Sequence, residues 1–485
     1  MGNENRSTTP QSTTFKDFIS GGWAERDEAR PAPRAQAPFA AQRRAAISAL
    51  HPGERLVVPA GPAKPRANDT DYPYRAHSAF SYLTGWGSDA VPGSVLVLEP
   101  TGDGHDAVLY LMPTAGRDSD EFYANAAIGE FWTGPRPSLA QVSADLGLPT
   151  RHLDEFAAVL DATDPSTRIV READRDLTDQ LDGRRLLSAE LSDGAIDEDG
   201  DSALLRDLSE QRLVKDDYEI GQMRLAVAAT RQGFDDVIAD LPQIIAHPRG
   251  ERLVEGTFYR RARAEGNTVG YDTIAASGPH ACTLHWTRND GPVVPGDLIL
   301  LDAGIELDSL YTADITRTLP VSGTFTPIQR QVYEAVLEAA DAARAIVKPG
   351  IVFREVHAAA MAVIARKTAE WGLLPVTAEE SLEEGQQYHR RYMVHGTSHH
   401  LGIDVHDCAQ ARRELYLDGV VQEGMVFTIE PGLYFQPDDL TVPEEFRGIG
   451  VRIEDDVLVT ADGCENLSGG IPRTADEVEA WLAAR

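Results

Sequence analysis

The sequence predicts an α+β fold in two domains that follow an N-terminal arm. A chain of 485 residues is too long for one compact core. Its apolar residues follow both the alternating pattern of strands and the three-to-four-residue spacing of helices. In the second half of the chain these two patterns are mixed, which is typical of an α+β layout.

The arm and the first domain differ in composition. Residues 1–36 are rich in Ser, Thr, Pro, Ala and charged side chains. We expect a disordered or mobile arm there, because such a segment buries too little apolar surface to offset its ordering entropy. Residues 37–200 are expected to form an α/β domain that ends in a charged connecting helix and linker at 163–205. Its strands are predicted at 55–60, 80–84, 94–99 and 107–112, and its helices at 38–50 and 153–160.

The second domain is expected to span residues 201–485. It opens with a long amphipathic helix between 220 and 241. A second helix is predicted at Thr326, where Thr-Pro-Ile-Gln provides an N-cap, a first-turn proline and a capping-box glutamine. A third helix is predicted at 353–371, and strands are predicted at 298–303, 311–321, 425–430 and 451–460.

Charge and cysteine content exclude several classes of partner. The chain has 45 basic and 77 acidic residues, and its formal charge of -32 would repel nucleic acid. No apolar run reaches the roughly 18 residues that cross a bilayer, and no signal-peptide pattern opens the chain. We therefore expect no membrane partner and a cytoplasmic location. The three widely spaced cysteines, which fit a reducing compartment, are Cys282, Cys408 and Cys464.

Four carboxylates lie within or at the ends of apolar strands. Asp302 follows four aliphatic residues, where a carboxylate is costly unless it is paired. Alternation along 311–319 places Asp314 on a defined strand face. Glu430 and Glu454 repeat these two arrangements further along the chain. The structural alternative is that all four form buried ion pairs with arginines such as Arg317 and Arg452.

The histidines are clustered, since five of the thirteen lie within residues 389–406. Four carboxylates and one imidazole form an oxygen-rich set that suits divalent Mn, Co, Fe or Zn, and two such ions would balance the four negative charges. Two ions roughly 3.5–4 Å apart can activate a water and polarise a carbonyl, which is the chemistry of metal-assisted amide hydrolysis. Motifs of serine hydrolases, zincins and P-loop proteins do not occur in the sequence.

Several segments resemble bacterial aminopeptidase P, the Xaa-Pro aminopeptidase of the pita-bread metallopeptidase family. They are LDAG (301–304), ADITRT (313–318), HGTSHHLG (395–402), VHD (405–407), TIEPGLY (428–434) and GIGVRIED (448–455). The resemblance extends upstream through DYPYR (71–75), FSYLTG (80–85) and RLVK (212–215). It implies a C-terminal pita-bread (creatinase/aminopeptidase) catalytic domain that follows an N-terminal α/β creatinase-like domain.

The resemblance also implies roles for individual residues. Two divalent metal ions, usually Mn(II), with Co, Zn or Fe possible, would be held by Asp302, Asp314, His399, Glu430 and Glu454. Glu430 would also transfer the proton to the leaving proline nitrogen. Pocket histidines that meet the substrate would be His285, His395 and His406. Arg452 and Tyr434 would hold an aspartate ligand in place.

Two further expectations come from the resemblance. Eleven residues separate Asp302 from Asp314, one more than in the family pattern, and we expect a loop between the paired strands to absorb the extra residue. Trp132 matches an aromatic side chain that one subunit of such enzymes lends to the pocket of a neighbour. A homodimer or homotetramer is therefore expected.

The function implied is release of the N-terminal residue that precedes proline in a peptide. Prolidase, which cleaves Xaa-Pro dipeptides with the same ligands, is the closest alternative, although DYPYR and RGIGVRIED favour the aminopeptidase. Methionine aminopeptidase is disfavoured because it usually lacks so large an N-terminal domain. A metal-free peptide-binding module and the metal-free creatinase are disfavoured because all five ligand positions are present.

Overall fold

The structure is a computed structural model that describes residues 9–26, 28–68, 70–192 and 199–484. The chain divides into two compact units, and the boundary in the sequence lies between Leu208 and Ser209. In the described ranges, no helix is both long enough and apolar enough to cross a lipid bilayer. The arm at 1–36 and the boundary at 200–201 stay predictions; residues 1–8 and 27 of the arm lie outside the described residues, and a helix occupies Thr13–Ser20.

The first unit combines short helices with one main sheet. Its helices are α1 (Thr13–Ser20), α2 (Ala37–Leu50), α3 (Ser78–Thr84), α4 (Glu121–Ala124), α5 (Glu130–Thr133), α6 (Leu139–Leu146), α7 (Ala157–Asp161) and α8 (Arg175–Ser192). Its strands are β1 (Leu56–Pro59), β2 (Pro65–Ala67), β3 (Thr70–Asp71), β4 (Val95–Thr101), β5 (Gly104–Leu111), β6 (Thr150–His152) and β7 (Arg168–Ile169). Helix α9 (Gly200–Gln211) spans the boundary between the units.

The main sheet of the first unit has the order β6-β5-β4-β1-β7. The three central strands pair antiparallel, and β6 and β7 join the two edges in parallel. Leu177 and Leu181 from α8 pack with Val57, Val97 and Ile169 from the sheet. The central strand β1 and the first four residues of β4 are buried, as expected where helices pack on a sheet.

One predicted strand of the first unit is wrong. Residues 80–84 belong to helix α3, whose first turn is capped by the ring of His77. The helix ends at Gly85, which adopts a left-handed conformation with φ of 74°. Every residue of α3 is buried. A short apolar run of this kind has no alternation that separates a buried helix from a buried strand.

The second unit carries longer helices and several small antiparallel sheets. Its helices are α10 (Asp217–Ile245), α11 (Gly250–Glu265), α12 (Pro327–Ile346), α13 (Arg354–Glu370), α14 (Ala378–Leu382) and α15 (Ala475–Ala483). Its strands are β8 (Thr268–Val269), β9 (Ile274–Ser277), β10 (Leu298–Ala303), β11 (Ile305–Glu306), β12 (Ile315–Pro320), β13 (Val426–Ile429), β14 (Gly432–Tyr434), β15 (Gly450–Arg452), β16 (Asp455–Val459) and β17 (Cys464–Asn466).

The sheets of the second unit are β12-β10-β9, β11-β8, β13-β16-β17 and β14-β15. In the first of these, β10 is the central strand and places Asp302 opposite Thr316 and Ile274. Helix α12 begins as predicted, since Thr326 caps it and forms a capping box with Gln329. The helices and the sheets together bury a large core, which includes Phe234, Val332 and Phe427, and a smaller cluster that includes Leu300 and Tyr434.

Two predicted strands of this unit are shorter than expected. The strand expected at 311–321 begins at Ile315, after a turn in which Leu310 has a φ of 70°. The residues between Asp302 and Asp314 include the short strand β11 and this turn, and the position of the extra residue stays a prediction. The strand expected at 451–460 is interrupted, because β15 pairs with β14 whereas β16 pairs with β13. Glu454 lies at this change of partner.

Candidate metal centre

A cavity of about 670 Å³ in the second unit gathers most of the predicted site residues. The predicted residues that line it are Asp302, Asp314, His399, Glu430, Glu454, His285, His395, His406 and Arg452. Tyr434 is buried beside them and contacts two of them. Trp132 lies on α5 of the first unit, is 58% exposed, and is not among the described residues that line the cavity.

The carboxylates converge on His399. Candidate ligand atoms of Asp314, His399 and Glu454 all lie within 4.8 Å of one another. His399 Nε2 is 3.4 Å from Asp314 Oδ2 and 3.4 Å from Glu430 Oε1. On the other side of the ring, Nδ1 lies 3.2 Å from the carbonyl oxygen of His400. That contact fixes the hydrogen on Nδ1 and leaves Nε2 facing the carboxylates, as a metal ligand requires.

Tyr271 joins the two aspartates and was missed by the sequence reasoning. Its hydroxyl lies 2.7 Å from Asp302 Oδ1 and 2.5 Å from Asp314 Oδ1. Burial and the two carboxylates raise the pKa of the phenol well above its usual value, so the hydroxyl keeps its proton and donates it. Tyr271 precedes strand β9, outside any alternating pattern, so no signal in the sequence marked it.

A second network fixes Asp302 and His395. Arg452 Nη2 donates to Asp302 Oδ2 at 2.5 Å, and its Nη1 donates to the Tyr434 hydroxyl at 3.0 Å. His395 Nε2 lies 2.8 Å from the same hydroxyl, while its Nδ1 lies 2.6 Å from the carbonyl oxygen of Gly396. Nδ1 therefore carries the hydrogen, and Tyr434 donates to Nε2. Burial and Arg452 lower the pKa of His395 to about 3, which keeps the ring neutral.

The cluster has an excess of buried negative charge. Arg452 provides a permanent positive charge to the cluster through its contact with Asp302. Burial, reinforced by neighbouring carboxylates, raises the pKa of Glu430 to about 7 and that of Glu454 well above its usual value. Burial opposes protonation of His399, yet Asp314 and Glu430 raise its pKa to about 9. These buried groups together attract positive charge. Four carboxylates and one imidazole are ligands that suit divalent cations.

The remaining histidines lie at the edge of this cluster. His406 forms an edge-to-face contact with His399, with ring centroids 4.5 Å apart. Burial and the nearby His399 lower the pKa of His406. His285 lines the cavity from the segment between β9 and β10 and is exposed. The imidazoles of His285, His395 and His406 line the cavity, where they can accept or donate hydrogen bonds to a substrate.

The fold and this site define a metal-dependent hydrolase. Residues 221–461 match the model of metallopeptidase family M24, and residues 39–169 match that of the aminopeptidase P N-terminal domain. The chain is 54% identical to Xaa-Pro aminopeptidase 2 of Streptomyces coelicolor, over 97% of this chain and 96% of that protein. It is 32% identical to Xaa-Pro aminopeptidase of Escherichia coli, over 92% of this chain and 97% of that protein.

Solved structures agree with the sequence relatives. Aminopeptidase PepP of Pseudomonas aeruginosa superposes with a TM-score of 0.79 at 31% identity, covering 93% of this chain and 99% of that one. Aminopeptidase P of Escherichia coli with the inhibitor Pro-Leu gives 0.77 at 30% identity, with the same coverage. The chain belongs to the aminopeptidase P family of M24 metallopeptidases. The predicted pita-bread domain and its N-terminal partner domain are thereby confirmed, and the family implies divalent metal ions.

Proposed function

We propose that this enzyme is an Xaa-Pro aminopeptidase, which releases the N-terminal residue that precedes proline in a peptide. The observation that carries the proposal is the convergence of four carboxylates and His399 in one cavity of a chain whose relatives bear that name. The inhibitor in the Escherichia coli structure also fits, since Pro-Leu corresponds to the part of an Xaa-Pro-Leu peptide that follows the cleaved bond.

Within this proposal five residues hold two divalent ions, and Mn(II) is our first choice of metal. The five are Asp302, Asp314, His399, Glu430 and Glu454. Bound divalent ions lower the pKa of a water molecule and polarise a peptide carbonyl. Tyr271 and Arg452 orient the aspartates through the hydrogen bonds described above. Such contacts fix the direction of the ligand oxygens before any cation arrives.

The residues of the chain also supply proton transfer and substrate contacts. Glu430 lines the cavity with one carboxylate oxygen 3.4 Å from His399 Nε2, and a carboxylate in such a position can accept and release a proton. We assign to Glu430 the removal of a proton from the attacking water and its delivery to the leaving proline nitrogen. We assign to His395 and His406 contacts with the scissile peptide, and to His285, from the segment between β9 and β10, a contact with the substrate.

A peptide panel separates the aminopeptidase from prolidase. With Mn(II) present, we expect cleavage of Gly-Pro-Gly to glycine and Pro-Gly, no cleavage of Gly-Ala-Gly, and slower turnover of the dipeptide Gly-Pro. The products are measured by chromatography, with the pH varied in the same experiment. Turnover of Gly-Pro alone would instead identify a prolidase. A protein that binds no metal and cleaves none of the peptides would be a binding module.

The hydroxyl that joins the two aspartates provides a test of the metal ligands. Replacing Tyr271 by Phe removes one hydroxyl and keeps the ring, so both carboxylates lose a shared donor. We expect metal affinity or activity to fall about 10- to 100-fold. The measurement is the Mn(II) concentration that gives half-maximal activity. Tyr259→Phe on α11, which is 47% exposed, is the matched control, and equal metal requirements in both variants would contradict the assignment.

Location, assembly and the role of Trp132 complete the proposal. A cytoplasmic location is supported by three cysteines that are all free thiols. A homodimer or homotetramer is supported by the resemblance and by the exposed Trp132, whose indole N–H donates to the carbonyl oxygen of Tyr123 at 2.7 Å. That bond fixes the ring at the surface of the first unit, where it is accessible to a neighbouring subunit.

A further inference from the structure

We propose that Glu251 is a positioning residue for His285. Glu251 lies in the first turn of α11 and has no exposed surface. It is not among the residues that line the cavity, and its carboxylate faces the segment between β9 and β10 that carries His285. This inference rests on the proposed function, because Glu251 would affect catalysis only by positioning His285, which that function places in contact with the substrate.

All four acceptor positions of the Glu251 carboxylate are used. Oε1 accepts from the backbone N–H of Ser277 at 2.8 Å and from the ring of His280 at 2.7 Å. Oε2 accepts from the indole of Trp286 at 3.0 Å and from the backbone N–H of Gly291 at 2.7 Å. The four donors therefore include both ends of the segment 277–291 and two side chains from its middle.

His285 lies in the chain between residues that these bonds hold. The rings of His280 and Trp286 stack with centroids 3.9 Å apart, so the backbone that includes His285 forms a turn above the carboxylate. Gly291 closes the turn tightly, because a Cβ there would lie 2.6 Å from the His280 ring. His285 accepts a hydrogen bond through its backbone carbonyl from the N–H of Thr287 at 3.0 Å, while its imidazole is exposed in the cavity. Its position in the cavity therefore depends on the segment that carries it.

Charge and geometry both require a carboxylate at this position. Only an ionised carboxylate offers four acceptor sites without a donor. An amide of the same size would direct its NH₂ group at two donors, which loses two hydrogen bonds and leaves buried N–H groups unsatisfied. The helix N-terminus, where Glu251 lies, also favours negative charge. Glu251→Gln should therefore release the segment while it leaves the metal ligands untouched.

The test compares Glu251→Gln with Glu265→Gln, an exposed position at the end of the same helix. We expect kcat/KM for Gly-Pro-Gly to fall about 10- to 100-fold in Glu251→Gln, because small displacements of a pocket group have effects of this size. Metal content per chain should equal that of the wild type, and Glu265→Gln should behave as the wild type. Hydrogen exchange of residues 277–291 should become faster in Glu251→Gln, with β10 and β12 unchanged.

A double-variant cycle separates positioning from general stability. In a His285→Ala background, Glu251→Gln should lower kcat/KM by less than twofold, because its effect passes through the missing imidazole. Equal losses in both backgrounds, a loss of bound metal, or less than a twofold loss in the single variant would each overturn the proposal. If Glu251→Gln does not fold, Trp286→Phe serves, since it keeps the stacked ring, removes one of the four bonds and should give a smaller loss with the same non-additivity.

The experiment also distinguishes a failure of this inference from a failure of the proposed function. A wild-type enzyme that leaves Gly-Pro-Gly intact would refute the aminopeptidase assignment. The hydrogen-exchange comparison needs no substrate, so the link from Glu251 to the segment 277–291 would still be decided. Unchanged exchange in Glu251→Gln would then reject the positioning role alone.

Discussion

Glu430→Gln is expected to abolish turnover while it leaves the fold intact. The substitution removes both a candidate metal ligand and the proposed proton carrier. Loss of a general acid or base alone costs about 10²- to 10⁴-fold, so we expect kcat to fall by at least about 10³-fold. The backbone N–H of Glu430 donates to the carbonyl oxygen of Thr397 at 2.8 Å, and this bond is independent of the side chain. The measurement is kcat at saturating Gly-Pro-Gly.

Thermal unfolding provides the structural control for Glu430→Gln. In the metal-free protein the raised pKa of Glu430 means that the ionised form is disfavoured by burial and by Asp314. A neutral amide should therefore keep or raise the metal-free melting temperature. Glu423→Gln, an exposed position seven residues earlier, is the matched control for activity. Activity within tenfold of the wild type would remove Glu430 from the mechanism, and a lowered metal-free melting temperature would show that its carboxylate is structural.

Asp407→Asn is expected to destabilise the second unit by about 3–5 kcal/mol, because it leaves buried cations without their partner. Lys215 Nζ lies 2.8 Å from Asp407 Oδ2, and both side chains have no exposed surface. Arg212 Nε lies 3.0 Å from Asp407 Oδ1. The measurement is urea unfolding at neutral pH. The control is Asp418→Asn, which breaks partly exposed ion pairs that are worth at most about 1 kcal/mol.

The pH dependence of this effect has a defined sign. Burial opposes ionisation of Asp407, but Lys215 and Arg212 outweigh it and hold its pKa below the ordinary value of 3.8. A depressed carboxyl pKa contributes stability that is complete above pH 3.8 and is lost as the pH falls through the lower folded-state value. The difference between wild type and Asp407→Asn should therefore be constant near neutrality and shrink in acid.

A double variant checks that the Asp407 effect comes from the ion pair. Lys215→Met combined with Asp407→Asn should lower the free energy of unfolding by less than the sum of the two single changes. The double variant removes both charges of this pair, so neither Lys215 nor Asp407 is left buried without the other. Strict additivity, or a loss no larger than that of Asp418→Asn, would contradict the interpretation. Asp407 directly follows His406, and its N–H donates to the carbonyl oxygen of His400. The buried pair therefore fixes the segment that brings His406 to the cavity.

The fold class and the convergence of the site could be anticipated because they depend on local patterns. Asp302 follows a run of four buried aliphatic residues, and strand ends of this kind must place a carboxylate at an edge of the core. The register of β10 with β12 then brings Thr316, a hydrogen-bond donor to Glu454, opposite Asp302. The resemblance to aminopeptidase P, carried by short motifs in the correct order, connected residues that are far apart in the sequence.

Other features depend on contacts that no local pattern encodes. Tyr271 and Glu251 act through partners that are 26 to 43 positions away in the chain, and neither follows a helical or alternating spacing toward the site. Helix α3 was mistaken for a strand because full burial removes the polar positions that reveal a period. The division between β15 and β16 was missed because both pieces are apolar strands, and only pairing separates them.

The interruption between β15 and β16 gives three consecutive acidic residues three separate tasks. Glu454 faces the cavity, Asp455 binds Arg317 and Arg473, and the side chain of Asp456 accepts from the backbone N–H of Asp314. A slip of one residue would exchange these tasks and direct a cavity carboxylate into an arginine pair. The length of the chain between Gly450 and Val459 is therefore fixed to the single residue, since one insertion or deletion would move all three carboxylates at once.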